Sequence, residues 1–143
     1  MSNLTGGCLC GAIRYSLSTA PTELRACHCR DCQKASGAHG AVVSIVPRDK
    51  LKLDKGTPKT FTGKAASGRT LFRYFCGDCG SPLWSHRENT PGMLALRAGT
   101  LDDTDRMRIT AHIWTKSARP WSYIDPKATQ HAGQPEGPPV PTK

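Results

Sequence analysis

Short period-two runs, separated by glycine and proline, make up much of the chain. Ile13, Tyr15 and Leu17 alternate with Ala12, Arg14 and Ser16, the pattern of a half-buried strand. Ala41 to Val46 is apolar and rich in β-branched residues between Gly40 and Pro47, which predicts a buried strand. Leu51 and Leu53 alternate with Lys50 and Lys52. Thr57 to Thr62 reads as an edge strand, because Pro58 limits its pairing. Arg69 to Phe75 is the clearest strand, with Leu71, Arg73 and Phe75 on one face and Thr70, Phe72 and Tyr74 on the other. Ser81 to His86, Met93 to Arg97 and Ile109 to Thr115 supply further strands, the last two joined through the acidic turn Asp102-Asp103-Thr104-Asp105. Ser18 to Arg25 holds Pro21 and little periodicity and reads as a loop, while Asp31 to Ala35 predicts one helical turn ended by Ser36-Gly37. No stretch sustains a helical period, so the expected fold class is mainly β with few or no long helices. From Pro126 onward proline and glycine dominate. Residues 1–125 are therefore expected to form the domain, and 126–143 an extended or disordered Pro/Gly-rich tail.

The cysteines turn this pattern into chemistry. All seven fall in three groups: Cys8 and Cys10, then Cys27, Cys29 and Cys32, then Cys76 and Cys79. Such clustering is a metal-ligand signature, because a small tetrahedral ion needs thiolates that converge on one point. The C-x-C-x-x-C group can place three sulfurs around one ion by itself, whereas C-x-C-G and C-x-x-C-G each offer two. The economical partition puts Cys8, Cys10, Cys76 and Cys79 on one zinc and Cys27, Cys29 and Cys32 on a second. A strand, the turn Cys76-Gly77-Asp78-Cys79-Gly80 and a returning strand together read as a zinc knuckle. Four thiolates leave a zinc site at a formal charge of about −2 and quench its Lewis acidity, which makes a structural site. Three leave it near −1, with a position that solvent or substrate can take. The alternative is a histidine as fourth ligand, from His28, His39, His86 or His112; His39 is close enough in sequence to fold back.

Composition narrows the context. The 143 residues suit one domain, and a hydrophobic fraction of only 37% leaves room for metal to carry part of the folding free energy. No apolar run reaches the length that spans a bilayer. The stretch Met1-Ser2-Asn3-Leu4-Thr5 carries no secretory pattern, so the expected compartment is the cytoplasm, where thiols stay reduced. The formal charge of +9 invites a nucleic-acid partner. Seven thiolates and two zinc ions would bring it to about +6, and the basic residues are scattered rather than gathered in a tract. No Ser/His/Asp grouping, phosphate-cradling glycine loop or carboxylate pair stands out.

The chain resembles the glutathione-dependent formaldehyde-activating enzymes, the family that also contains centromere protein V. The likeness rests on Gly7-Cys8-Leu9-Cys10-Gly11, on the run from Cys27-His28-Cys29-Arg30-Asp31-Cys32 to Gly37, and on the run from Arg73 through Cys76 and Cys79 to Leu83. His112-Ile113-Trp114 and Pro120-Trp121 add to it more weakly. The resemblance implies a β-tent fold and two zinc ions per chain, partitioned as above, with Cys27, Cys29 and Cys32 holding the reactive one. It also implies carbon–sulfur lyase activity, joining formaldehyde to glutathione as S-hydroxymethylglutathione. The expected partners are a small-molecule thiol and a small aldehyde, and the zinc chemistry transfers better than the choice of glutathione. The rival reading is a zinc-stabilised binding module for nucleic acid or protein, with both metals structural. Gln33, Lys34 and Ser36 can contact an anionic tripeptide, although a surface charge and a turn explain Lys34 and Ser36. Arg73 and Arg97 can pair with substrate carboxylates, although an exposed strand face explains them as well. Trp84, Trp114 and Trp121 read as core or rim residues, and His112 as a satisfied structural histidine.

Overall fold

The computed structural model describes residues 4–65, 67–137 and 139–143; the Met1 to Asn3 part of the leader reading, and Pro138 of the tail, lie outside them. The chain is mainly β. Strands β1 (Leu4–Gly7), β2 (Arg14–Leu17) and β5 (Leu51–Lys55) form a three-stranded antiparallel sheet in the order β1-β2-β5. A second, eight-stranded sheet contains β3 (Glu23–Cys27), β4 (Ala41–Pro47), β6 (Lys59–Lys64), β7 (Thr70–Phe75), β8 (Pro82–Arg87), β9 (Met93–Arg97), β10 (Arg108–Ile113) and β11 (Thr129–Gln130). Its order is β11-β10-β3-β4-β9-β8-β7-β6, with β10 parallel to both β3 and β11. Among the described residues there is one α-helix, α1 (Arg30–Ser36), and it ends at Gly37 in a left-handed conformation (φ 69°). It runs to seven residues where one turn is predicted. No helix of the described residues is long and apolar enough to cross a membrane.

Both faces of the large sheet are used. Val46, Leu94, Leu96 and Trp84 join Ile13 and, from β2, Tyr15 and Leu17 in the main core. Tyr15 is fully buried, its hydroxyl paired with Thr100 Oγ1 at 2.7 Å. On the opposite face Ala41, Val43 and Ile45 of β4 pack with Cys32, Met93 and Ala95. β4 is therefore covered on both sides, which accounts for its unbroken apolar run.

Two segments depart from the expectations. Glu23–Cys27 is a strand where a loop is predicted. Its alternation, Leu24 and Ala26 buried, is short and follows Pro21, and its parallel partner β10 lies far along the chain, so the local signal is weak. β1 runs through Gly6 and Gly7, a pair with no strand pattern; a Cβ at Gly6 would collide with the Tyr15 hydroxyl and the Thr100 carbonyl.

The proline- and glycine-rich end is extended and laid against the body. Gly133, His131 and Ala132 carbonyls accept the N–H groups of Trp114, Thr115 and Lys116. Further on, Thr142 N–H donates to the Ile45 carbonyl at 2.9 Å, and the Thr142 hydroxyl meets Ser44 Oγ at 2.7 Å. The segment thus takes up the edge of β4 beyond the point where β3 begins.

Candidate metal centres and the cavity beside them

The structure assembles the seven cysteines into two groups. The sulfurs of Cys8, Cys10, Cys76 and Cys79 lie within 4.8 Å of one another, as do those of Cys27, Cys29 and Cys32. In the first group Cys8 Sγ to Cys10 Sγ is 3.6 Å and Cys10 Sγ to Cys76 Sγ is 3.8 Å. A tetrahedral zinc with bonds of about 2.3 Å requires sulfurs about 3.8 Å apart, so this donor set fits the ion.

Each turn is shaped by its glycine. Gly11 and Gly80 follow the two cysteine pairs and adopt left-handed backbones (φ 81° and 78°) that a side chain would strain. The reversal turns backbone N–H groups toward sulfur: Ile13 N–H donates to Cys8 Sγ at 3.2 Å. Ser81 links the two halves, its hydroxyl 3.2 Å from Cys79 Sγ and accepting from Leu9 N–H at 3.0 Å. The Ser81 hydroxyl and backbone bonds to Cys79 lower its thiol to about 5.

The three-cysteine group is built where β3 runs into α1. Cys27 ends the strand, and Cys29 is the N-cap of the helix, its sulfur accepting from Cys32 N–H at 3.3 Å. One residue is thus both helix cap and candidate ligand, which fixes the Cys29–Cys32 spacing. Hydrogen bonds from the Cys27 and Cys32 thiols bring Cys29 down to about 2; Cys27 is pushed up, chiefly by the Cys29 thiolate. A bound divalent cation would hold all three as thiolates.

No histidine joins either group among the described residues. His28 points away from the sulfurs and is fully buried, with its Nε2 2.9 Å from His112 Nδ1. His112 Nε2 accepts from Asp125 N–H, so its Nδ1 carries the proton and donates to His28. His112 is the satisfied structural histidine expected in a strand. His86 bonds Tyr74 Oη through Nε2 at 3.0 Å. The His39 ring lies against His28 at 5.7 Å and does not reach the sulfurs.

Gln33 braces the same loop. It is buried, and its amide donates to the His28 carbonyl at 2.8 Å and the Ser117 carbonyl at 3.0 Å. Ser36 braces the loop too, its hydroxyl bonding the Gly40 carbonyl at 2.7 Å, and Lys34 is exposed.

The two centres face different surroundings. The three-cysteine group opens on a cavity of about 350 Å³, a size suited to a small ligand. Its floor is the second face of the large sheet, including Arg25, Arg73, Arg87 and Arg97. One wall is Trp114, whose left-handed backbone (φ 57°) sets the indole where Nε1 donates to Gln134 Oε1 at 3.1 Å. Gln134, Pro135 and Glu136 of the C-terminal segment complete that wall. Trp84 is in the core and Trp121 is exposed. The sequence alone missed the C-terminal wall, which has no periodicity, and missed Arg25 and Arg87 as cavity residues. The signal available for the arginines was their placement at alternate positions of strands, in register with the cysteine face.

A mainly β chain with one four-sulfur group and one three-sulfur group on a cavity defines a candidate two-centre thiolate metalloprotein. The chain belongs to the glutathione-dependent formaldehyde-activating enzyme family, whose model matches residues 3–117. A curated protein of Podospora anserina, named for glutathione-dependent formaldehyde activation, is 31% identical over 83 residues, which are 57% of this chain and 38% of that one. A similarly named protein of Penicillium rubens is 32% identical over 82 residues, 57% of this chain and 41% of that one. The matched region thus spans about two fifths of those relatives. A crystal structure of a Rhodobacter sphaeroides protein has the same fold at a TM-score of 0.55 and 17% identity, covering 89% of this chain and 98% of that one.

Proposed function

We propose that the chain is a zinc-dependent carbon–sulfur lyase that joins glutathione, or a similar thiol, to formaldehyde or another small aldehyde. The observation that carries this reading is the asymmetry of the two cysteine groups: the four-sulfur group is complete in itself, and the three-sulfur group opens on the cavity. Cys8, Cys10, Cys76 and Cys79 would hold a structural zinc, and Cys27, Cys29 and Cys32 a reactive one. A zinc ion at the second group supplies Lewis acidity and ionises a coordinated thiol at neutral pH. The protein's own part is placement. Cys29 and Cys32 are locked by the helix cap, and Cys27 by its pairing to Ala41 and Ile113. The cavity lets a thiol approach from one side. In the reaction a sulfur–carbon bond forms, the carbonyl π electrons pass to oxygen, and the thiol proton ends on that oxygen as the hydroxymethyl group. The reverse reaction breaks the same bond. The family and the two named relatives support formaldehyde and glutathione as substrates. Reduced cysteines are needed throughout, which suits a cytoplasmic setting. The lyase machinery falls within residues 1–125, and the 126–143 segment lends the cavity a wall.

The test is elemental analysis of zinc per chain, followed by NMR of ¹³C-formaldehyde mixed with glutathione. Two zinc ions per chain and adduct formation faster than the spontaneous rate, lost in Cys29→Ser, are expected. A protein loaded with two zinc ions that leaves the spontaneous rate unchanged overturns the reading and favours the binding-module alternative.

A further inference from the structure

The two sulfur groups dispose of their negative charge in different ways. In the four-sulfur group Cys10 is exposed to solvent, Cys8 accepts from Ile13 N–H and Cys79 meets the Ser81 hydroxyl, so water and dipoles take up the charge. The three-sulfur group is drier. Cys27, Cys29 and Cys32 are half-buried, Cys29 accepts from Cys32 N–H, and Cys32 packs on Ala41, Val43 and Ile45. An anionic centre on such an apolar floor needs a counter-charge, because a buried charge without a partner is costly.

The sheet supplies that charge in one row. Arg25 of β3 and Arg97 of β9 are both registered with Val43 of β4, so the two half-buried side chains leave the same face on either side of it. Cys27 follows Arg25 by two positions on that face and is registered with Ala41. The arginine row and the cysteine row are therefore about 6.7 Å apart along the strand, a gap that an extended arginine side chain crosses. Both arginines and all three sulfurs line the same cavity. Burial lowers Arg97 from the ordinary arginine range, and Cys32 is the largest influence opposing it; burial lowers Arg25 too, with Cys27 in opposition. The other charged side chains of the lining are Arg69, Arg73 and Arg87 against Asp31 and Glu136, so the rest of the wall does not reverse the sign.

Charge counting gives the pair a task. Three thiolates and a divalent cation carry about −1, and an anionic sulfur as fourth ligand brings the centre to about −2. Arg25 and Arg97 together offset that and leave the filled centre neutral. A neutral fourth ligand, such as water or imidazole, leaves an excess positive charge instead. We propose that Arg25 and Arg97 are positioning residues of the three-sulfur centre, and that their paired charge makes its open position select an anionic sulfur over a neutral donor. This rests on the proposed function for a metal with an open position at that centre, and on strand register for the two charges. The selection acts at the sulfur atom. It therefore holds for a thiol with no acidic group at all, which separates a counter-charge from an anchor for a substrate's tail.

The test uses protein loaded with cobalt(II) at both centres. Visible absorption reports a new ligand at the three-sulfur centre, and the four-sulfur centre serves as an internal check of folding. The probes are 2-mercaptoethanol, a thiol without a carboxylate, and imidazole, at about pH 8 where imidazole is neutral. Kd values are measured for the wild type, for Arg25→Gln and Arg97→Gln, for the charge-keeping Arg25→Lys and Arg97→Lys, and for Arg106→Gln in an exposed turn as control. Each Gln variant is expected to bind 2-mercaptoethanol at least about tenfold more weakly, since it removes a unit charge at close range from a half-buried anion, and to bind imidazole as well as the wild type or better. The Lys variants should recover most of the lost thiol affinity, and the control should be unchanged. Two positions are probed so that either one decides if the Gln variant at the other fails to fold. Wild-type thiol affinity in the Gln variants overturns the proposal. So does an equal loss of imidazole, which marks a damaged centre rather than a missing charge. Gln variants that weaken glutathione but not 2-mercaptoethanol also overturn it, and assign the arginines to the substrate's tail. Arginine-dependent thiol selection in a protein that leaves the formaldehyde–glutathione rate at its spontaneous value overturns the proposed reaction and leaves the selection standing. Catalysed turnover that survives in both Gln variants with unchanged thiol affinity does the reverse.

Discussion

Gly40 closes the entry to β4, where that strand pairs with the end of β3 at Cys27 and Ala41. A Cβ at this position would overlap the Cys27 carbonyl oxygen and stand 3.1 Å from the Cys27 carbonyl carbon and 3.4 Å from His28 Cα. Carbon atoms are at ease at about 3.5–4.0 Å, so Gly40→Ala moves the Cys27 backbone by at least roughly 0.4 Å, and by more to free the oxygen. Neither neighbour can swing aside, because both contacts are backbone. A metal site tolerates ligand displacements of only about 0.2 Å, so the three-sulfur group should lose metal affinity while the four-sulfur group keeps its own. The overpacking itself should cost about 1–3 kcal/mol, or roughly 3–12 °C in Tm. Cobalt(II) titration reads the two centres through their thiolate absorption, and thermal melting reads stability. Two controls separate the effects. Gly99→Ala adds a methyl to open space and should be neutral within about 0.5 kcal/mol. Gly37→Ala also meets open space, but at φ 69°, so it should cost about 1–2 kcal/mol and leave cobalt binding unchanged. A Gly40→Ala protein that binds two cobalt ions with wild-type affinity would refute the claim that this contact positions Cys27.

Leu96→Ala, at a fully buried core position, should cost about 2–5 kcal/mol in urea denaturation, against less than about 0.5 kcal/mol for Leu9→Ala at an exposed turn; equal costs would contradict the core assignment. Asp102 is held below the usual carboxylate range by Arg14 and then Thr5. Its stabilising contribution is therefore complete above the unfolded value of about 3.9 and lost as pH falls through the lower folded value. With side-chain exposures of 46% for Asp102 and 37% for Arg14, Asp102→Asn should cost only about 0.5–1 kcal/mol at pH 7, a gap that closes in acid; a gap that widens in acid would overturn the pairing. Cys76→Ser should abolish the folded state, because a structural zinc is worth about 10–16 kcal/mol against a total stability of about 5–15 kcal/mol. Cys29→Ser should stay folded with one metal ion per chain instead of two; circular dichroism with elemental analysis tells the variants apart.

The legible parts of this chain were those with local causes. Cysteine spacing announced both sulfur groups, since C-x-C-x-x-C and C-x-x-C-G bring sulfurs together within single turns. Joining Cys8 and Cys10 to Cys76 and Cys79 needed only the arithmetic of four. β4 and β7 were legible because their apolar or alternating runs are six residues or longer. β3 was not: its two buried residues make too short an alternation, and its parallel pairing to the distant β10 leaves no local trace. The C-terminal wall was hidden for another reason. It is held by backbone hydrogen bonds to Trp114, Thr115, Lys116 and Ile45, which any extended segment can make, and proline and glycine composition is silent about where such a segment lies. Arg73 and Arg97 were visible as candidates, but that they share one cavity floor with Arg25 and Arg87 is a fact of three dimensions.

The four-sulfur group joins residues 66 positions apart, Cys10 and Cys76. Closing a chain loop of that length costs about 3.7 kcal/mol of entropy before any contact repays it. The three-sulfur group closes over six residues and can capture an ion while the rest of the chain is still open. Assembly therefore has an order: the local group loads first and the distant pairs meet late. When metal is scarce, nascent chains will accumulate half-loaded, with the three-sulfur centre filled and β1, β2 and β7 still unjoined, and their unpaired strand edges will be exposed to one another for as long as the second ion is missing.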